Sequence, residues 1–234
     1  MAVASLVARF FPVRQVRRLP YLFSVAPPAA ATWYDLPSRL RPPTRRGFPP
    51  THALLEQGFD ALLAAVEPIL ATRPYLFGER FTLADASLYG ELGMNLADRS
   101  AWALVGRQAP ATARWVERLA ADDFSAHRPG GAVTLDPPLA RLLDWIARVF
   151  VPLMQQNEAA WADHRQRGET RFNEQGFDAG SAVYDGVLLG HPFRSVAKTF
   201  QVRVWQDLRH AWGKLATDER ARLAALMPVT GFAE

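Results

Sequence analysis

Three residues restrict the fold more than any others: Gly78, Thr82 and Asp85, set within RPYLFGERFTLADASLYGEL at positions 73–92. The glycine follows Tyr75-Leu76-Phe77 and supplies a bend. Thr82 then stands where a helix N-cap belongs, with Asp85 three residues on. The threonine side chain accepts from the third amide of the helix while the carboxylate reaches back to the cap amide, a capping box with Asp in place of Glu. Phe81, just before the cap, is placed to staple onto Ala86 or the helix beyond, and Ala84, Leu88 and Leu92 continue one apolar stripe. The string therefore predicts a buried helix beginning at Leu83.

Helical spacing dominates from Thr51 onward. Leu54, Leu55, Phe59, Leu62, Leu63, Val66, Ile69 and Leu70 recur at three- and four-residue intervals, the apolar face of an amphipathic helix in which Pro68 removes one amide. The second helix is expected from Leu83 to about Asp98. Pro110 opens a third, with Trp115, Val116 and Leu119 facing inward. A Gly-Pro break at 128–131 precedes Asp136-Pro137-Pro138, which begins the longest helix, through roughly His164, kinked at Pro152 and buried along Leu139, Leu142, Leu143, Ile146, Phe150, Leu153, Met154, Asn157 and Trp161. Residues 169–190 lose the period, and Gly176, Gly180 and Asp185-Gly186 read as a small hairpin or irregular excursion. His191-Pro192 is expected to start a final long helix carrying Phe193, Val196, Phe200, Val204, Trp205, Leu208 and Trp212, followed by a short one capped by Thr217. The class is all-α, a bundle of five to seven helices with at most a minor hairpin.

Residues 1–50 are different. Eight arginines, nine prolines and a single acid, Asp35, argue for a weakly ordered connector ahead of a helical domain at 51–234. The first 24 residues have the Arg-bearing, acid-free character of a mitochondrial presequence. The alternative, favoured by the scarcity of lysine, is a remnant of a longer protein, with a cytoplasmic location. Only Lys198 and Lys214 are lysines, and the net charge of +4 comes from arginines scattered among acids. That pattern, with no base-reading motif, argues against nucleic acid. No apolar run reaches the roughly 18–20 residues that span a bilayer, so no membrane partner is expected. The chain has no cysteine, which removes disulfides, thiolate metal sites and cysteine nucleophiles together.

Little else suggests chemistry. His52, His127, His164, His191 and His210 lack metal-ligand spacing, and no metal is expected. His164 and His210 are expected to face solvent, and His191 to help start a helix. Ser87, Ser125, Ser181 and Ser195 lack a hydrolase elbow. Thr82 and Asp85 suit a cap better than a catalytic pair. Of the seven tryptophans, Trp33 and Trp102 lie near expected loops and are candidates for an exposed contact surface.

The run Pro-Tyr-Leu-Phe-Gly followed by Phe-Thr-Leu-Ala-Asp resembles the C-terminal, all-helical domain of the glutathione transferase family. Ala109-Pro110 with Arg114-Trp115 is similar to that family's Pro-x-x-x-x-Trp helix. Beyond about residue 136 the chain, with Pro152 to Ala160, Lys198 and Trp205 to Arg209, resembles a bacterial subgroup with an added C-terminal helical lobe. The resemblance implies a helical half that lines the pocket for the second, electrophilic substrate, along a helix bearing Tyr89, Met94, Asn95 and Arg99. The simpler reading of those residues is core packing for Met94 and a solvated charge for Arg99. The family's thioredoxin-like half, which holds glutathione and supplies the catalytic Ser, Tyr or Cys, has no counterpart in residues 1–50. Ser5, Tyr21 and Ser24 are the hydroxyls of note before residue 30, without a β pattern. No catalytic residue is therefore assigned, and no cofactor is expected; glutathione enters as co-substrate only where a thioredoxin-like domain is supplied. The implied partners are such a domain, or a second copy in a homodimer. The rival reading is a non-enzymatic interaction module, and an apolar or a polar outer face on the helices at 51–72 and 83–98 separates the two.

Overall fold

The computed structural model describes residues 52–97, 99–172, 174–227 and 232; the expectations for residues 1–50, Thr51, Trp33 and Asp98 fall outside them. Among the described residues the order is α1 (His52–Leu70), α2 (Leu83–Gly93), a 3-10 turn (Met94–Ala97), α3 (Arg99–Gln108), α4 (Pro110–Ala120), a second 3-10 turn (Pro137–Leu139), α5 (Ala140–Gln166), α6 (Glu174–Ala179), β1 (Val183–Leu188), β2 (His191–Val196), α7 (Thr199–Lys214) and α8 (Thr217–Leu226). Among the described residues the fold is all-helical apart from one two-stranded antiparallel hairpin. Two compact units divide the chain, one built mainly from Gly58–Ile146, the other from Ala147–Ala224 with residues 52–57.

In the first unit, Leu63, Val66 and Ile69 of α1 meet Leu92, Val105, Trp115 and Val116 around Tyr75. Leu55, on the part of α1 that belongs to the second unit, is a correction: it is 44% exposed. The second helix also stops earlier than its spacing suggests. Gly90 and Gly93 weaken its last turns, and the Asn95 side-chain amide donates to the Leu92 carbonyl at 2.9 Å, occupying a group the helix end leaves open. A separate helix, α3, follows and carries Trp102, which packs against the core where an exposed loop site was expected. The start of α4 is held from a distance. Glu67 of α1 accepts from the Ala111 amide at 2.8 Å and from the Thr112 amide and hydroxyl at 2.9 Å each, so an acid 44 residues upstream serves the amides that a helix start leaves unpaired.

In the second unit the expectation of a long helix from His191 is overturned, because His191–Val196 is a strand. Val183 pairs with Val196, Gly186 with Phe193 and Leu188 with His191. The turn falls at Leu189-Gly190, both with positive φ (50° and 78°), the backbone a two-residue hairpin requires, and not at Asp185-Gly186, which lie inside β1. Pro192 is tolerated because its strand has a free edge. Across the sheet Arg194 grips Asp185 through two bonds of 2.6 and 2.7 Å, holding that carboxyl below its usual range. His164, expected at the surface, is buried, with Nε2 3.0 Å from the Val183 carbonyl. His210 is exposed.

Tyr184 of β1 packs its ring edge-on to Phe193. Burial pushes its phenol up to about 12, against the opposing pull of a hydrogen bond with Ser195. Above pH about 10 the unfolded chain surrenders a proton that the folded chain keeps until about 12. The unfolded state then binds fewer protons, so stability falls as pH rises through that window. We expect the urea midpoint to decline between these values, and Tyr184→Phe to flatten the decline. Parallel curves for the two proteins would contradict this assignment.

Candidate functional site

The turn at 74–78 is held from several sides, and Asp85 joins it to α2. Gly78 has φ of 117°, and a Cβ there would stand 3.0 Å from the Ala132 carbonyl oxygen, so glycine is required on both counts. Tyr75 and Gly78 exchange backbone hydrogen bonds of 3.1 Å each, and the Thr134 amide donates to the Phe77 carbonyl at 3.0 Å. Arg118 of α4 lies over the Tyr75 ring, 4.9 Å from its centroid, and donates to the Pro74 carbonyl at 2.7 Å. Phe81 rests edge-on against Tyr75 and Phe124, a different staple from the expected Ala86.

Asp85 ties this turn to the helix. It is fully buried. One carboxylate oxygen accepts from the Leu76 amide at 2.8 Å; the other accepts from the Thr82 amide at 2.9 Å and the Thr82 hydroxyl at 2.7 Å. Thr82 and Asp85 form the capping box of α2. A carboxylate that accepts three hydrogen bonds and meets no solvent has no access with which to move a substrate proton.

The four pocket candidates do not converge. Tyr89 turns inward, half-buried, with its ring 6.4 Å from that of Trp115. Met94, five residues on, is 66% exposed, where core packing was the simpler expectation. At about 100° per residue the two lie roughly 140° apart around the helix. Asn95 spends its amide on the Leu92 carbonyl. The Arg99 backbone opens α3, and its side chain falls outside the described residues.

What α2 and its C-cap Met94 do present is an exposed stripe of which the sequence reading singled out Met94 alone. Leu83 (83% exposed), Ser87, Gly90 and Met94 follow one another at intervals of four, three and four, all exposed, and so share one helix face. Nothing stands within 4 Å of a Cβ placed on Gly90. Two large apolar side chains thus flank a low centre. The signal was available in the sequence, since the stripe is offset from the buried Leu88 and Leu92, but Ser87 and Gly90 hid its apolar character. Among the described residues no group of three or more His, Asp or Glu side chains is placed to hold a metal, and no helix is long and apolar enough to cross a membrane.

This arrangement of helices α1 to α4 has a match. Residues 52–123 match the family model for the glutathione S-transferase, C-terminal domain. Over that segment, less than half of the chain, the protein is similar to the C-terminal domain of glutathione S-transferases. Comparisons with curated proteins and with solved structures return no match.

Proposed function

We propose that α1 to α4 supply the apolar, second-substrate wall of a glutathione transferase-type cleft, and that a separately supplied thioredoxin-like domain provides the thiol-activating wall. The exposed stripe Leu83, Ser87, Gly90 and Met94 carries this reading. A helix face that meets only water has no need of two large apolar residues on either side of a flat, small-residue centre. Glutathione chemistry needs a donor that stabilises the thiolate and lowers the thiol pKa. Of the α2 hydroxyls, that of Thr82 is engaged by Asp85 and Tyr89 faces Trp115; Ser87 alone is exposed, and thiol activation is left to the other wall. An interaction module without catalysis is the less favoured reading, because its expected mark, a closed polar face here, is replaced by an apolar one.

Calorimetric titration of the 234-residue chain with glutathione tests the first half of the proposal. No saturable heat at millimolar ligand is expected, and no turnover of a chlorodinitrobenzene electrophile. Saturable binding by the chain alone would overturn the division of labour. For the second half, Leu83→Asp with Met94→Asp should leave the helical content intact. The same pair should abolish any conjugation that a thioredoxin-like chain confers on mixing.

A further inference from the structure

Helix α7 and Phe232 enclose an aromatic slot in the second unit, outside the residues matched to the family model. Trp205 is fully buried and packs with Val151 and Met154 of α5. Trp212 lies seven residues on, which returns it to nearly the same face of α7 and advances it by about 10.5 Å along the axis. Phe232 touches both indoles. Its ring is stacked on Trp212 at 22°, with centroids 5.3 Å apart, and tilted 41° to Trp205 at 5.2 Å. Those two spacings together match the advance along the helix, so a single flat ring bridges the pair. Phe232 and Trp212 are both half-buried, so the outer end of the slot meets solvent while Trp205 does not.

One group in the slot is not served. The Trp205 indole N–H is buried without an acceptor among the described residues, and an indole nitrogen can only donate. The rings against it, Phe150 at 6.3 Å and Phe232, carry no lone pair. A phenyl ring thus fills the slot in shape and leaves a buried donor unmet, which is costly. We propose that the slot is a binding site for a flat, neutral nitrogen heterocycle of purine or quinoline type, and that Phe232 is its displaceable plug. Such a ring is one layer thick and stacks on aromatic faces as Phe232 does, and it brings the in-plane lone pair that phenyl lacks. Its neutrality follows from the charges present. Arg209 lies over the Trp205 ring at 5.9 Å but is paired with Glu158 at 2.8 Å, so a charged ligand would be buried with its counter-ion already engaged. Both walls belong to one helix, so the slot keeps its width when Phe232 leaves, and little ordering is required of the protein.

Titration of the full chain with quinoline tests this without glutathione, with naphthalene as the ring of the same shape lacking the nitrogen. The ¹H–¹⁵N resonances of the seven tryptophan indoles report binding. Wild type should bind quinoline saturably and shift the Trp205 N–H resonance downfield, that resonance being assigned through Trp205→Phe. Naphthalene should bind at least about fivefold more weakly, because it leaves the donor unpaired. Phe232→Ala should tighten quinoline binding by about tenfold or more, since the plug no longer competes; Phe232→Leu, which keeps apolar bulk, should do so to a lesser degree. Adding Trp212→Ala to Phe232→Ala should cancel the gain by removing one stacking wall. Circular dichroism should show unchanged helix content in each variant. Binding by Phe232→Ala with none by wild type would make Phe232 an ordinary packing residue and overturn the proposal. So would equal affinities for quinoline and naphthalene, or a Phe232→Ala protein that binds no tighter than wild type.

Discussion

Replacing Asp85 by alanine should destabilise the first unit by about 2–4 kcal/mol. About 1 kcal/mol of this is the loss of the cap, in line with N-cap deletions elsewhere. The rest comes from the Leu76 amide. Leu76 is buried, the Asp85 carboxylate is the acceptor of its amide proton, and a buried donor left without a partner costs about 1–3 kcal/mol. The substitution also uncouples the 74–78 turn from α2, since the same carboxylate holds Leu76 and Thr82. Asp85→Asn keeps one acceptor oxygen but turns an N–H₂ toward a donor, and should fall between alanine and wild type. Thr82→Ala removes one hydroxyl from a partly buried bond and should cost about 1 kcal/mol. Urea unfolding should rank the three variants in that order. Hydrogen exchange should show the loss of protection concentrated in α2 and the 74–78 turn. An Asp85→Ala protein within about 1 kcal/mol of wild type would contradict the assignment of the carboxylate as the joint between them.

How much of this was visible beforehand depends on the distance over which each feature acts. Asp85 serves groups three and nine residues away, and the Thr82–Asp85 spacing marks the helix start directly. Gly78 is legible for the same reason. Glu67 is not, because its use to the α4 start depends on α1 and α4 lying side by side, which no local pattern records. The strand at His191–Val196 was concealed by a coincidence of spacing. Phe193, Val196 and Phe200 fall at helical intervals, and only the positive-φ pair Leu189-Gly190 reveals a hairpin turn. Tyr89 and Met94 lie about 140° apart even on a continuous helix, a separation legible from their spacing; the break after Gly93, which sets the Arg99 backbone on a different helix, was not.

The hairpin of the second unit shows how burial, and not bond count, sets the value of a contact. Two consecutive residues of α5 hold it in the same way. Gln156 donates to the Val187 carbonyl at 3.0 Å and accepts from the Val187 amide at 2.9 Å. Asn157 donates to the Lys198 carbonyl at 3.1 Å and accepts from the Lys198 amide at 2.8 Å. Each side-chain amide thus stands in for a neighbouring strand. Val187 is exposed, whereas Asn157 is completely buried. When Gln156 is replaced by leucine, water takes over at Val187, and the expected cost is about 1 kcal/mol or less. When Asn157 is replaced by leucine, an isosteric apolar side chain faces a donor and an acceptor that water does not reach, and the expected cost is about 3–5 kcal/mol. Asn157→Asp separates the two bonds. The introduced carboxylate still accepts from the Lys198 amide but repels its carbonyl; once protonated it regains a donor. Its deficit relative to wild type should therefore shrink as pH falls, because the folded state holds that proton more tightly than the unfolded one. Urea midpoints of the three variants at neutral and acid pH decide the matter. Equal losses for Gln156→Leu and Asn157→Leu would mean that the hairpin is held by its side-chain contacts, Leu54 with Leu188 and Phe193, and that the two amides only follow its position.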